Sequence, residues 1–170
     1  MPLSRFSAGA IELGVARLEP LDPAACPRLA ASIAAMEPWS VMSYPADRLA
    51  AFLASPDRGV SRYCVRADGM EAGVVSVRSP WLKGPYLELL ALLPPAQCQG
   101  IGSRIMAWLE ESAIEEDGRN LWVCASSFNT RALRFYARHG FEPVATLPGL
   151  VADGYEEILL RKFPLGNGRK

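Results

Sequence analysis

The order of apolar and polar positions predicts alternating strands and helices. In the first half of the chain the predicted elements are a strand over 11–18, a helix over 23–36, a loop over 37–45, a helix over 46–54, and a hairpin of strands 62–66 and 72–77. Pro27 suits the first turn of its helix. Asp68 and Gly69 supply the turn of the hairpin.

The middle of the chain contains a nearly continuous apolar run over 86–93, which is typical of a buried central strand. Its single acid is Glu88. Strand alternation puts Tyr86, Glu88 and Leu90 on one face of the sheet, with Leu92 following them.

In the second half of the chain, segments with the helical spacing of apolar residues alternate regularly with short apolar segments typical of strands. Here the predicted elements are a helix over 101–116, a strand over 121–125, a helix over 130–139, and closing strands over 141–147 and 155–160. Gly118 and Gly140 can end the two helices. The sum predicts a mixed α/β sheet with helices on both faces, in one domain over 1–163. The remaining segment, 164–170, is expected to be a mobile tail.

Composition narrows the classes of function. Lysine plus arginine and aspartate plus glutamate each number 18, so no overall charge draws the 170-residue chain to nucleic acid or to an anionic membrane. A single histidine and four cysteines without a CxxC pair predict no metal site. The chain has no apolar run of about 20 residues and no signal-peptide pattern at its start, so we expect a cytoplasmic protein with free thiols.

A glycine-bearing segment lies between the central strand and the next helix. It consists of Gln97, Cys98, Gln99, Gly100, Ile101, Gly102 and Ser103. Glycine lets the backbone approach a ligand, and free N–H groups at a helix start bind anions such as a diphosphate. A plain strand-to-helix turn explains the segment equally well. Neither GxGxxG nor GxxxxGK[ST] is present, which disfavours a dinucleotide fold and a P-loop.

A second candidate segment runs from Asn129 to Phe141. Asn129 and Tyr136 are seven residues apart, so two helical turns bring them to one face. Helix capping is the alternative role for Asn129, and packing is the alternative for Tyr136. His139 is interpreted as a helix-end residue that interacts with the dipole.

Together these segments resemble the GNAT N-acetyltransferase superfamily. QCQGIG matches the family pattern Q/R-x-x-G-x-G/A, and NTRALRFYARHGF matches its N-x-x-A-x-x-x-Y-x-x-x-G-F block. The resemblance covers about residues 86–141, and the first 80 residues agree only in element order. It implies the GNAT fold, a central mixed and mostly antiparallel sheet flanked by helices.

The resemblance also implies an acetyl-CoA site. Main-chain groups of Leu90, Ala91 and Leu92 would hold the pantetheine arm like an added strand. The segment 97–103 would wrap the diphosphate, although many members carry basic or glycine residues where this chain has Cys98 and Gln99. Asn129 and Ala132 would lie beside the pantetheine arm. Tyr136 would protonate the leaving thiolate.

Glu88 is the predicted base for the acceptor amine, since members with a base on this strand place it at or near this position. The alternative is a structural acid paired with a buried arginine. Members that acetylate protein N-termini often have a glutamate on the strand that holds Cys124, and this chain has none there.

The implied activity is direct acetyl transfer from acetyl-CoA, as co-substrate and without a metal, to a primary amine in a ternary complex. The acceptor would be a small-molecule or peptide amine, with no nucleic acid or membrane partner. Whether the chain forms a homodimer is left open. The alternative function is a non-catalytic acyl-CoA sensor on the same fold.

Overall fold

The chain forms one sheet of eight strands. The computed structural model describes residue 6 and residues 9–166. Within these residues the strands are β1 (Ile11–Glu12), β2 (Arg17–Pro20), β3 (Val60–Ala67), β4 (Met70–Trp81), β5 (Gly84–Leu92), β6 (Leu121–Ser126), β7 (Glu142–Pro148) and β8 (Glu156–Lys162). Their spatial order is β1-β2-β3-β4-β5-β6-β8-β7, and β5 with β6 is the parallel pair among antiparallel ones. The predicted mixed, mostly antiparallel sheet is confirmed.

Helices cover both faces of this sheet, as predicted. They are α1 (Cys26–Ala34), α2 (Ala46–Ala54), α3 (Ile101–Glu115) and α4 (Thr130–Arg138). Leu29 of α1 and Leu49 of α2 belong to one apolar core. Ile105 of α3 and Tyr136 of α4 belong to the other. The sheet therefore separates an α1/α2 side from an α3/α4 side.

The first predicted strand, 11–18, is wrong in one respect. It is two short strands, β1 and β2, which pair with each other. Gly14 has φ +81, a left-handed conformation that favours glycine, and the Leu13 N–H donates to the Ala16 carbonyl at 2.8 Å. A tight turn therefore interrupts the apolar run.

The helix predicted over 23–36 begins later and ends earlier. Pro23–Ala25 is a 3-10 turn, whose Ala24 N–H donates to the Asp22 side chain at 2.9 Å, and α1 follows. Three other predictions hold more closely: the loop over 37–45 contains no helix or strand, α2 has the predicted bounds, and the β3–β4 hairpin turns at Asp68 and Gly69.

A β-bulge interrupts the alternation of β5. Val77 of β4 pairs with Leu87, but the adjacent Ser76 pairs with Leu89. Glu88 is therefore an extra residue that has no partner of its own on β4.

The bulge changes which side chains of β5 share a face. Leu87, Leu90 and Leu92 pack on the α3/α4 side, whereas Leu89 lies in the α1/α2 core. Glu88 hydrogen-bonds Ser76, whose neighbours Val75 and Val77 point to the α3/α4 side. The expectation that Glu88 shares a face with Leu90 and Leu92 is therefore wrong, because the extra residue shifts the alternation by one.

Beyond the bulge, β5 and β6 separate. They pair only at Tyr86 with Trp122 and at Leu87 with Val123. From Leu89 to Leu92, the side of β5 that faces β6 has no strand partner in the described part of the chain. Backbone polar groups on that side are therefore available to a ligand, apart from the Leu92 carbonyl, which accepts a hydrogen bond from Gln97 Nε2.

The ends of the described chain bear on two other predictions. The predicted mobile tail covers 164–170, of which 167–170 lie outside the described residues. Among the helices of the described part, none has the length and apolar character needed to cross a bilayer.

Candidate active site

A cleft of about 720 Å³ opens where β5 and β6 separate. Its walls come from both strands, the segment 97–103, α4, β8 and the loops around 36–42 and 150–151. All but two of the sequence-predicted site residues line it, including Glu88, Tyr136 and Asn129. The exceptions are Gln99 and Ile101, which are not part of the cleft wall; Ile101 is instead buried in the α3/α4 core.

The glycine segment ends in an uncapped helix start. Gly100 is the N-cap of α3, with φ +77 and no side-chain cap. The first N–H groups of a helix have no intrahelical partner, and they carry a partial positive charge. This geometry fits the predicted diphosphate site, since an anion would satisfy those donors.

Arg131 of α4 ties this segment to the rest of the cleft. Its guanidinium donates to Gln97 Oε1 at 2.8 Å and lies 3.3 Å from the Cys98 Sγ. Gln97 Nε2 in turn donates to the Leu92 carbonyl at 2.8 Å. A cation is thereby held beside the helix start, where the family pattern has basic residues inside the loop.

Asn129 caps α4. Its Oδ1 accepts a hydrogen bond from the Ala132 N–H at 3.1 Å. The capping role that the sequence left open is thus observed, and both residues also line the cleft. Contact of Asn129 and Ala132 with a pantetheine arm stays a prediction.

Tyr136 is 6% exposed and packs between two aromatic rings. The ring centroids of Phe135 and Phe141 lie 5.2 and 5.6 Å from that of Tyr136. Burial raises the pKa of the Tyr136 phenol well above its ordinary value, with the nearby Cys124 adding to the effect. The phenol is therefore protonated at neutral pH and can act as a proton donor.

Glu88 has partners on both carboxylate oxygens. Arg78 Nε donates to one at 2.7 Å, and Ser76 Oγ donates to the other at 3.0 Å. Arg78 also donates to Asp57 at 2.9 Å. The pairing with arginine is the one expected if Glu88 is a structural acid. The role of Glu88 as a base stays a prediction.

A second acid of the cleft, Glu157 on β8, was not singled out from the sequence. It is 5% exposed, and its Oε1 accepts a hydrogen bond from Ser126 Oγ at 2.6 Å. Burial raises the pKa of this carboxyl, partly offset by the Ser126 bond. The signal was present, because Glu157 is an acid within a predicted strand, as Glu88 is.

Two loops meet above the α1/α2 side of the cleft. Trp39 and Met42 come from the first loop and Val151 from the second. The Tyr155 hydroxyl joins them by donating to the Val41 carbonyl at 3.0 Å. Both loops contribute apolar wall to this end of the cleft.

Among the aromatic residues near the cleft, Tyr86 is part of its wall. Trp81 packs on the Tyr86 ring at 4.7 Å, and Tyr44 packs in the α1/α2 core.

Charge is divided along the cleft. Its arginines, Arg131, Arg134 and Arg138, all lie on α4. Its acids, Glu37, Glu88 and Glu157, lie on the first loop, β5 and β8. One end therefore suits an anionic ligand and the other a cation. In the part of the chain that the structure describes, no group of three metal-ligating side chains occurs.

Comparison with known families decides the assignment. The model of the Acetyltransferase (GNAT) family matches residues 27–141, which is more than half of the chain. The chain belongs to the GNAT acetyltransferase family. The resemblance seen in the two sequence motifs is thereby confirmed.

Solved GNAT structures share the fold. Nourseothricin acetyltransferase is 25% identical with a TM-score of 0.57, over 65% of this chain and 69% of that one. A probable GNAT acetyltransferase from Chromobacterium violaceum is 19% identical with a TM-score of 0.72, over 96% and 87%. The ribosomal-protein α-N-acetyltransferase RimL, solved in complex with coenzyme A, is 17% identical with a TM-score of 0.69, over 91% and 98%.

The Glu88–Arg78 pair of this GNAT chain is expected to stabilise the fold. The Glu88 side chain is 9% exposed and that of Arg78 33%, so water screens the pair only in part. In a double-mutant cycle of Glu88→Gln and Arg78→Gln, we expect a coupling free energy of about 1–3 kcal/mol in urea unfolding. Additive effects would show that the pair does not contribute to stability.

Proposed function

We propose that the chain transfers an acetyl group from acetyl-CoA to a primary amine by direct attack in a ternary complex. One observation carries the proposal: a single cleft joins the free edge of β5, the uncapped start of α3 and the buried Tyr136. These features suit, in order, an amide-bearing arm, a diphosphate and a thiolate leaving group. They match the needs of a CoA thioester more fully than those of a simple anion.

The donor would lie along β5 and α3. Backbone groups of Leu90, Ala91 and Leu92 would bond the pantetheine amides, as an added strand does. The residues of the segment 97–103 would bind the diphosphate through the α3 N-terminus, with Arg131 beside it. A strand N–H near Leu92 would stabilise the oxyanion that forms on attack.

The chemistry requires two proton transfers. An α-amine has a pKa near 8 and a lysine-like amine near 10, so a proton must leave the nitrogen before attack. The departing thiolate must gain one, and Tyr136 is the proposed donor. The high pKa of its phenol keeps that proton available throughout the neutral range.

The proposal is tested by calorimetry with acetyl-CoA, followed by a screen for acceptor-dependent release of free CoA. The acceptors are polyamines, amino acids, aminoglycosides, aryl-alkyl amines and peptides with free N-termini. We expect binding of acetyl-CoA and turnover with at least one amine. Binding without turnover would favour the acyl-CoA sensor, and absence of binding would contradict both functions.

A further inference from the structure

We propose that Glu157 binds the acceptor amine directly and accepts its proton. The inference rests on the proposed function, and it assigns a catalytic group that the sequence motifs do not indicate. Four features of the structure carry it: the burial of Glu157, its hydrogen bonds, its position in the cleft and the charges around it.

Within the residues that the structure describes, Glu157 is buried without the cationic partner that buried acids usually have. A buried carboxylate is commonly paired with a cation, because removing its hydration is unfavourable. In the described part of the chain no Lys or Arg forms an ion pair with Glu157, and Ser126 supplies the one described hydrogen bond to its carboxylate. By contrast, Glu88 in the same cleft has both oxygens occupied by Ser76 and Arg78. An incoming ammonium would supply the cation that Glu157 lacks.

The position of Glu157 suits an amine that attacks beside Tyr136. Glu157 is paired in register with Ser126 of β6, and Cys124 lies two residues earlier on that strand. Cys124, Tyr136 and Glu157 all line the same cleft. The two proposed proton-transfer groups therefore border one space, in which an amine and a thioester could meet.

The groups that face Glu157 do not include a competing cation. Among the described residues, Ser126 and Cys124 of β6 and Tyr86 of β5 lie next to it, and β7 places Leu147 opposite it. Tyr136 of α4 and Glu37 of the first loop line the same cleft. Burial raises the pKa of the Tyr86 phenol and of the Cys124 thiol, so both are neutral near pH 7. The arginines of the cleft are on α4, where Arg131 is engaged with the glycine segment.

Glu157, Tyr136 and water account for every proton that moves in the reaction. One proton passes from the ammonium to the Glu157 carboxylate, and the free amine attacks the thioester carbon. As the C–N bond forms and the C–S bond breaks, the nitrogen loses a second proton while the thiolate takes one from Tyr136. Water returns the nitrogen proton to the Tyr136 phenolate, and Glu157 releases its own proton to solvent. The overall reaction therefore yields the amide, free CoA and one proton.

The test compares Glu157→Gln with Glu88→Gln, because Glu88 is the base predicted from the sequence and the two acids are competing candidates for one role. The probes are tryptamine, phenethylamine and a tripeptide amide with a free N-terminal alanine. The fastest of these is used to measure kcat/KM against pH.

We expect Glu157→Gln to lower kcat/KM about 10²-fold and to remove the acidic limb of the pH profile, where kcat/KM falls as pH is lowered. Because burial raises the pKa of Glu157, the wild-type limb should lie above the ordinary glutamate value of 4.5. Glu88→Gln should keep that limb.

Stability gives an independent readout. A carboxyl whose pKa is raised by folding stabilises the native state below its unfolded pKa, and this contribution is lost as pH rises through the folded value. Glu157→Gln should therefore raise Tm relative to wild type at pH 8 but not at pH 4. A change that raises Tm at pH 8 and also lowers kcat/KM would assign Glu157 a catalytic role, whereas a lower Tm at pH 8 would show that the carboxylate is structural.

The outcomes distinguish failure of the Glu157 inference from failure of the proposed acetyltransferase function. If the wild type acetylates none of the three probes, the fastest acceptor from the wider screen replaces them, and a screen without any acceptor contradicts the proposed function and the inference together. Turnover by wild type together with an unchanged acidic limb in Glu157→Gln contradicts the inference alone. Loss of the limb in Glu88→Gln instead would assign the base to Glu88 and overturn the role of Glu157.

Discussion

Tyr136→Phe is expected to lower kcat by about 10²–10⁴-fold, the usual contribution of a general acid. The phenol of Tyr136 is protonated throughout the neutral range, and its ring is fixed between Phe135 and Phe141. Removal of the hydroxyl therefore removes the proton donor and leaves the packing of the ring. Single-turnover measurement of CoA release, with acetyl-CoA affinity measured by calorimetry, checks this result.

The control for Tyr136→Phe is Tyr155→Phe, which removes the hydroxyl that bonds the Val41 carbonyl. It leaves Tyr136 and the segment 97–103 unchanged, so the rate of the chemical step should stay close to that of the wild type. If Tyr136→Phe turns over at the wild-type rate, with chemistry shown to be rate-limiting, the hydroxyl has no part in the reaction.

Ser103→Asp is expected to weaken acetyl-CoA binding and to stabilise the folded protein. Ser103 is an exposed residue in the first turn of α3. A carboxylate there interacts favourably with the helix dipole, by about 0.3–1 kcal/mol. The same charge repels a diphosphate: at about 5 Å and an effective dielectric constant of about 20 the repulsion is about 3 kcal/mol, or roughly 10²-fold in affinity.

Ser103→Asn is the matched control, because it has the shape of aspartate without its charge. It should bind acetyl-CoA much more tightly than Ser103→Asp, and the difference should shrink as salt is raised. Equal affinities of the two variants would place the diphosphate elsewhere. Gly102 is a poorer site for this test, since an added Cβ would lie 3.2 Å from the Phe135 ring and disturb packing.

The sequence predicted helices and strands well where apolar residues kept a single spacing, helical or strand-like, over several residues. The bounds of α2 and the β3–β4 turn agree with the structure because each has a regular pattern and a clear end signal. The pattern at 11–18 misled because a turn of four residues, Leu13 to Ala16, contains three that are apolar. Gly14 is the one local signal of such a turn, and a single glycine within an apolar run is also compatible with a continuing strand.

The candidate site was predictable where it is continuous in the chain. Residues 97–103 and the stretch from Asn129 to Tyr136 could be singled out because their motifs resemble those of the GNAT superfamily. The partners of Glu88 could not, because they depend on a bulge that follows from the pairing of β5 with β4. Glu157 was missed for a related reason: its hydrogen bond comes from Ser126, 31 residues earlier, and depends on the pairing of β6 with β8.

The hydrogen bond from Tyr155 to Val41 bears on how acceptor preference could be redesigned. It joins two loops that are more than 100 residues apart in sequence, and neither loop is part of α3 or α4. A graft of one loop from a relative would leave the other without its anchor. The practical unit for transplantation is therefore both loops together, and such a chimera would leave α3, α4 and the segment 97–103 unchanged.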